Sequence, residues 1–455
     1  MTVVLTTSPV GCVLDDLAPR DARARARRFF SAPPPPTAHI CVSLHGLTPS
    51  SLPTTSTHPS TRVLEEVFAS IARFAGAGAC AKVIVADGVK TREGDDAQSK
   101  FRSGIVTRDA EKKYRHYLRR VKRLTLTPSS VLHGAQLLIL DQRHGFAHAL
   151  RRGICRAVKT PFVLVAQHDR SFVRAVDLTA VVDAMCVANE ASPLETGPLV
   201  GLQTENKNAF RLNYVGFPTS TTVTHARHVL SKYALEIAPF EAPTSSDVTD
   251  ASFDAKLSSD VASSDSSPPN PKTENVALLP LLQFYDSMHV ASTRWYLSRV
   301  FGRERYCTLP KGGFIEDTLG QLMLRTARDA ARAARVAGDA AEKSSVGDDK
   351  KKVVDAIRDA HRPFGAYVRV ASLDPDKPGD PVCGHIDGRD SRLADGANRK
   401  FWFEEWHTSE EAWGELERNA RNDDGDDDEC FSARDVVPGF FDPPDAVALP
   451  EDVWI

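Results

Sequence analysis

The segment Pro161-Phe-Val-Leu-Val-Ala-Gln-His-Asp169 constrains the fold more than any other. Its uncharged, mostly bulky run is strand-sized and suits a strand buried on both faces of a sheet. It then turns abruptly polar at Gln167, His168 and Asp169. Open α/β sheets bind their ligands at the carboxyl ends of such strands. An imidazole and a carboxylate delivered there together would suit a divalent cation beside a phosphate. A strand that simply ends in polar residues is the plain alternative.

The surrounding sequence repeats this grammar. The folded part is expected to begin at Ala38, with a strand over His39–Leu44 that ends in His45-Gly46. A helix is predicted from Ser60 to about Phe74, since Val63, Val67, Phe68 and Ile71 recur at helical spacing and Gly76 and Gly78 stop it. Lys82–Ala86 is the next strand, ending in Asp87-Gly88, and the three pieces form a βαβ unit. Residues 90–130 are charged and partly helical, with a basic run from Lys112 to Arg123 that reads as a solvated face or as a neighbour of an anionic ligand. Leu137–Leu140 runs into Asp141-Gln-Arg-His-Gly145, and a helix from Phe146 to about Val158 leads to the strand at Phe162. The pattern predicts one mostly parallel sheet with helices on both faces.

Further on, a helix is expected from Leu178 to Ala188 and extended chain at Leu199–Leu202. Residues 243–273 are rich in Ser, Asp, Pro and Thr and read as a disordered insertion, and residues 343–352 as a second exposed loop. A long Ala-rich helix follows Glu316-Asp317, reaching about Ala341, and Ala366–Ala371 is a late strand. The N-terminal 1–37, with its Arg20–Arg28 run and Pro33–Pro36, reads as a disordered arm or leader. Residues 401–455 form a tail with an acidic run at 423–429, partly packed through Trp402, Trp406 and Trp413.

The net charge of −3 creates no general basic field, so no nucleic-acid or anionic-membrane partner is expected. No apolar run reaches the roughly 20 residues that span a bilayer, so no integral membrane segment is expected either. The eight cysteines show no CxxC pair and no zinc spacing, and read as reduced, structural thiols. A cytoplasmic protein is the expected class, with an organelle reached through the Arg-rich leader as the alternative.

Four polar pieces follow one another: Asp87 after the second strand, Gln167-His168-Asp169, Glu316-Asp317 after Lys311-Gly-Gly-Phe, and His385 within Gly-His-Ile-Asp-Gly. In this order the chain resembles the GT-A glycosyltransferases, in particular the family-2-like nucleotide-sugar enzymes, over roughly residues 38–389. The resemblance implies a single α/β domain over 38–400, with a GT-A-like (Rossmann-like) mixed, mostly parallel sheet. It implies transfer of a sugar from a nucleotide-sugar donor to a glycan or other hydroxyl acceptor, with inversion and with Mn²⁺ or Mg²⁺.

Residue by residue, the resemblance places Asp87 against the donor nucleoside, with His45 and Gly46 lining the same pocket. Arg143 and Gly145 would lie beside the diphosphate, where a helix N-terminus suits an anion. Asp169 stands for the last aspartate of the Asp-x-Asp motif and would ligate the metal with His385, and His168 is a third candidate ligand. Gln167 departs from the motif's first aspartate, bringing a ribose hydrogen-bond partner but no charge. Asp317 would be the general base, supported by Glu316. Tyr285, Asp286, His289 and Trp295 form a candidate acceptor platform of aromatic and polar groups.

Each has a structural alternative. Asp87-Gly88 is a common turn dipeptide, Glu316-Asp317 could merely cap a helix, and Tyr285–Trp295 could be a packed core helix with one buried histidine. Two rival functions share the motifs: a non-catalytic GT-A-shaped binder of nucleotides or glycans, and a nucleotidyltransferase. The latter fits poorly, because Leu-Thr-Pro-Ser-Ser-Leu-Pro, not a Gly-rich loop, follows Gly46.

Overall fold

The computed structural model describes residues 2–5, 61–91, 105–191, 211–242, 276–302, 305–310, 312–339, 346–374, 377, 379–385 and 436–437. The chain begins with β1 (Thr2–Leu5), α1 (Arg62–Ala75) and β2 (Lys82–Ala86), then β3 (Lys90–Thr91) and β4 (Ile105–Val106). α2 (Arg108–Leu126), β5 (Gln136–Leu140), α3 (Phe146–Ala157), β6 (Phe162–Gln167), β7 (Arg170–Phe172) and α4 (Leu178–Ala191) follow. Next come β8 (Tyr214–Gly216), α5 (His225–Tyr233), β9 (Phe240–Glu241), β10 (Ala277–Pro280) and β11 (His289–Ser292). The last elements are α6 (Gln321–Asp339), α7 (Val346–His361), β12 (Ala366–Val370), β13 (Cys383–His385) and β14 (Val436–Val437).

The fold is mixed α/β. Ten strands form one sheet in the order β14-β5-β2-β1-β6-β11-β8-β12-β10-β9. The expectation of a mostly parallel sheet is corrected. Only β14–β5, β5–β2 and β8–β12 pair in parallel, and the other neighbours pair antiparallel. The reason is interleaving: β1, β11 and β10 run against the rest and separate strands that share a direction. A local apolar pattern carries no information on strand direction, which the connections decide.

Alternation along the strands feeds two cores. Ile84 and Ala86 pack with α1, α2 and α4 on one face. Val83 and Val85 pack with α3, α6 and α7 on the other. Helices therefore cover both faces, as expected. α2 shows how a charged segment joins such a core. Thr107 caps it by accepting from the Ala110 N–H, Tyr114, Tyr117, Leu118 and Val121 are buried at helical spacing, and Lys112, Arg115 and Arg123 face outward.

Further expectations change. Four residues of the presumed disordered arm, the β-branched-rich Thr2–Leu5, form a strand between β2 and β6. Residues 346–352 belong to helix α7 rather than to a loop, because Ile357 and His361 bury one face of that helix while its charges remain outside. The strands expected at 39–44 and 199–202, the insertion 243–273 and the acidic run 423–429 lie outside the described residues. Among the described residues no helix is long and apolar enough to cross a membrane.

Candidate functional site

The carboxyl ends of β2, β5 and β6 define one edge of the sheet, and the predicted residues gather there. Asp87 emerges from β2 nearly buried. Its Oδ1 accepts the His144 N–H at 2.7 Å and the Gly88 N–H at 3.1 Å, and its Oδ2 accepts the Gly145 N–H at 2.8 Å. One carboxylate thus ties the end of β2 to the loop that opens α3, at the positive end of that helix. Both oxygens are engaged by backbone donors, so the side chain organises the edge from beneath.

That loop is in backbone contact with a third segment. Gly145 has φ 79° and ψ 168°, a region essentially restricted to glycine. A Cβ there would meet the Gly312 Cα at 2.3 Å. Gly312 in turn donates its N–H to the His144 carbonyl at 3.1 Å, and its own Cβ would fall 2.8 Å from the Arg143 Nη1. Arg143 and Gly145 therefore sit against the Gly312-Gly313 turn. Phe314, exposed, stacks on Phe146. The chain then enters a π-turn, Glu316–Gly320, that continues into α6.

Glu316 and Asp317 open this turn on the solvent side. The Asp286 N–H points to the Glu316 Oε2 at 3.4 Å. Asp286 itself is 3% exposed, and neither of its oxygens has a hydrogen-bond partner among the described residues. Burial, followed by the charge of Glu316, drives its carboxyl well above the usual range. Desolvation also raises Glu316, and the neighbouring charge of Asp317 adds to the effect. The guanidinium of Arg170 opposes both shifts.

Arg170 links this acidic group to β6. Its Nε donates to the Gln167 Oε1 at 2.6 Å, so the Gln167 amide holds an arginine. Between them, His168 and Asp169 form the turn from β6 to β7. Asp169 is buried, and its Oδ1 lies 3.9 Å from the His168 Nδ1. β13 pairs antiparallel with β7 and sets His385 opposite Arg170. The backbone of the distant His385 thus runs beside the Gln167–Asp169 turn. Among the described residues no group of three His, Cys, Asp or Glu side chains is placed to hold a metal; Asp169 and His168 together offer two donors.

Compared with protein families, with curated proteins and with solved structures, the chain matches none.

Two members of the expected acceptor platform are corrected. His289 is wholly buried in β11. Its Nδ1–H donates to the Ser287 carbonyl at 2.5 Å, its Nε2 meets the Tyr296 hydroxyl at 2.6 Å, and its ring stacks on Tyr214. Trp295 is also wholly buried, with its indole N–H donating to the Tyr306 hydroxyl at 3.3 Å. Both are core groups: His289 lies on a central strand packed on both faces, and Trp295 on the short helical turn Thr293–Trp295 that follows it into the core. Tyr285, half-buried, and Asp286 remain at the edge. His45 and Gly46 lie outside the described residues.

Two residues of this edge were missed by sequence reasoning. Arg170 had a signal, since it directly follows the polar end of β6. His225 had none, and its position under Tyr285 arises only from packing.

Proposed function

We propose that the chain transfers a sugar from a nucleotide-diphosphate donor to a hydroxyl acceptor at the carboxyl end of β6. The observation that carries this reading is the gathering of Asp169, Arg170, Asp286, Glu316 and Asp317 around one sheet edge from three separate segments. Such convergence of interacting ionisable groups, with Asp286 and Glu316 both raised by desolvation first and then by a neighbouring carboxylate, marks candidate active sites.

The chemistry follows from the parts. An acceptor hydroxyl must lose its proton as it attacks the anomeric carbon, and a positioned carboxylate contributes on the order of 10²–10⁴-fold. Asp317 takes that role, with Glu316 beside it. A single displacement by a base-activated hydroxyl inverts the anomeric centre. Asp169, with His168 adjacent, would supply the protein groups that hold a divalent cation beside the diphosphate. When bound, that cation would neutralise charge on the departing diphosphate. α3 starts at the same edge, and its N-terminal dipole favours an anion there, although the His144 and Gly145 N–H groups are already donated to Asp87.

The test is thermal melting against UDP, GDP, CDP and TDP, each with Mn²⁺ or with EDTA. A ligand at 100 times its Kd adds about 2.7 kcal/mol, a shift of several degrees. One nucleotide is expected to raise the melting point in an EDTA-sensitive way, and Asp169→Ala to remove that shift. Asp317→Asn is expected to keep the shift while abolishing sugar transfer. A shift in all variants with no transfer in any would favour the non-catalytic binder. No shift with any nucleotide would overturn the proposal.

A further inference from the structure

The segment between β10 and β11 carries Tyr285 and Asp286, and beneath it lies a histidine whose proton position follows from its neighbours. The Leu282 backbone N–H reaches the His225 Nε2 at 3.1 Å. An amide N–H can only donate, so Nε2 carries no proton and Nδ1 must carry it. The Nδ1 lies 3.1 Å from the Tyr285 hydroxyl oxygen, which therefore accepts. The phenol's own hydrogen is left to donate in another direction. The Tyr285 backbone is held as well, since its carbonyl accepts the Tyr214 hydroxyl at 2.7 Å.

We propose that His225 is a positioning residue that fixes the Tyr285 hydroxyl as a hydrogen-bond donor on the Glu316 side of the site, facing an oxygen of the hydroxyl-bearing acceptor. The inference rests on reading this edge as the site of transfer. Three further observations support it. His225 is fully buried and held neutral, lowered to about 3, chiefly by desolvation, so the ring does not switch roles across the working pH range. Tyr285 is pushed up to about 12, by burial first and then by the charge of Glu316, and the next residue, Asp286, directs its backbone N–H to the Glu316 Oε2 at 3.4 Å. The ring of Tyr285 also meets that of His225 edge-on, with centroids 5.6 Å apart.

A donor locked in this way selects its partner. An acceptor oxygen with lone pairs is held, whereas an ammonium or amide N–H presented at the same place is not, since Tyr285 already receives one N–H from His225. The arrangement therefore favours an alcohol or a sugar hydroxyl over an ammonium or an amide N–H.

Two measurements on the full-length protein decide the matter. The first is a two-bond ¹H–¹⁵N correlation spectrum of the histidines. His225 is expected as the neutral Nδ1–H form from pH 8 to pH 5, with its Nδ1 resonance moving in Tyr285→Phe. In the same samples, Glu316→Gln is expected to lower the ultraviolet-monitored titration of Tyr285. An Nε2–H form, or a phenol indifferent to Glu316→Gln, would overturn the proposal whether or not the protein turns over a nucleotide sugar.

The second measurement is release of UDP or GDP from UDP-glucose or GDP-mannose, with methyl glucoside as acceptor. Tyr285→Phe and His225→Leu are each expected to raise the acceptor KM about three- to tenfold, the worth of one neutral hydrogen bond. Their combination should do no more than either alone. His225→Gln, whose amide can accept from Leu282 and donate to Tyr285, should restore most of the loss. An unchanged acceptor KM in Tyr285→Phe would overturn the proposal even if transfer is observed. Absence of transfer in the wild type would remove the transferase reading, and the spectrum would still decide the lock.

Discussion

Among single residues, Asp286 sits in an environment that disfavours its charge: it is buried, and neither oxygen has a hydrogen-bond partner among the described residues. A buried carboxyl without a hydrogen-bond partner is costly when charged and much less so when protonated. Its raised native value means that its favourable contribution is present below the ordinary carboxylate range, near pH 4, and is lost as pH rises through that native value. Asp286→Asn should therefore stabilise the fold at pH 8 by on the order of 1 kcal/mol or more, as measured by urea unfolding. The gain should shrink toward pH 4. A destabilised Asp286→Asn at pH 8 would show that the charged form has a partner in solution. Asp87 is the opposite case: an equally buried carboxylate whose oxygens receive three backbone N–H groups. The sequence presents both simply as aspartates at the ends of apolar runs, and the difference lies in whether backbone donors face them.

At the scale of elements, the β10–β11 connection is fastened by three buried histidines from three different elements. His361 of α7 approaches the Leu281 carbonyl at 2.8 Å, His225 of α5 accepts from Leu282, and His289 of β11 donates to Ser287. Desolvation lowers His225 and His289 to about 3 and His361 to about 4. Their unfolded values lie near 6.5, so the stability they contribute is present above that pH and is lost as pH falls toward the native values. Each would give a slope of about 1.4 kcal/mol per pH unit in that window. Asp286, raised by burial and by the charge of Glu316, acts in the opposite sense above the ordinary carboxylate range. Unfolding free energy measured from pH 7 to pH 4 should therefore fall steeply, and His289→Gln should flatten the slope. A pH-independent stability over that range would refute the neutral assignment.

The elements themselves were largely legible. β2, β5, β6, α1, α3 and β12 lie within a residue or two of their expected bounds, because each rests on a single periodicity and on local stop signals such as Gly76. α7 was not legible at its start, because the Lys- and Asp-rich composition of 343–352 outweighs the sparse buried face. The long helix after Glu316-Asp317 was anticipated, but the π-turn that sets those two carboxylates beside Asp286 was not.

At the scale of the whole molecule, the sheet has a centre and two margins. β6, β11 and β8 are flanked by strands on both sides and covered by both cores, whereas β14 and β9 are edges of two residues each. Hydrogen exchange should show the amides of Val163, Val165 and Val290 among the slowest, approaching the global unfolding free energy. Those of Phe240 and Val437 should exchange by local opening. Uniform exchange across the sheet would contradict this division into a stable centre and two margins.

The sequence by itself determined where most strands and helices lie, which strand ends turn polar, that Asp87 and Asp169 follow strands, and that Glu316-Asp317 open a helix. These are local properties, set by side-chain period and by turn residues within a few positions. Only the tertiary structure decided that β1, β11 and β10 run against their neighbours, that Gln167 holds Arg170, that His289 and Trp295 belong to the core, and that His225 lies under Tyr285. Those outcomes depend on contacts between residues far apart in the chain. Such contacts are settled by how the connections close and how two cores fill, and no local pattern records that.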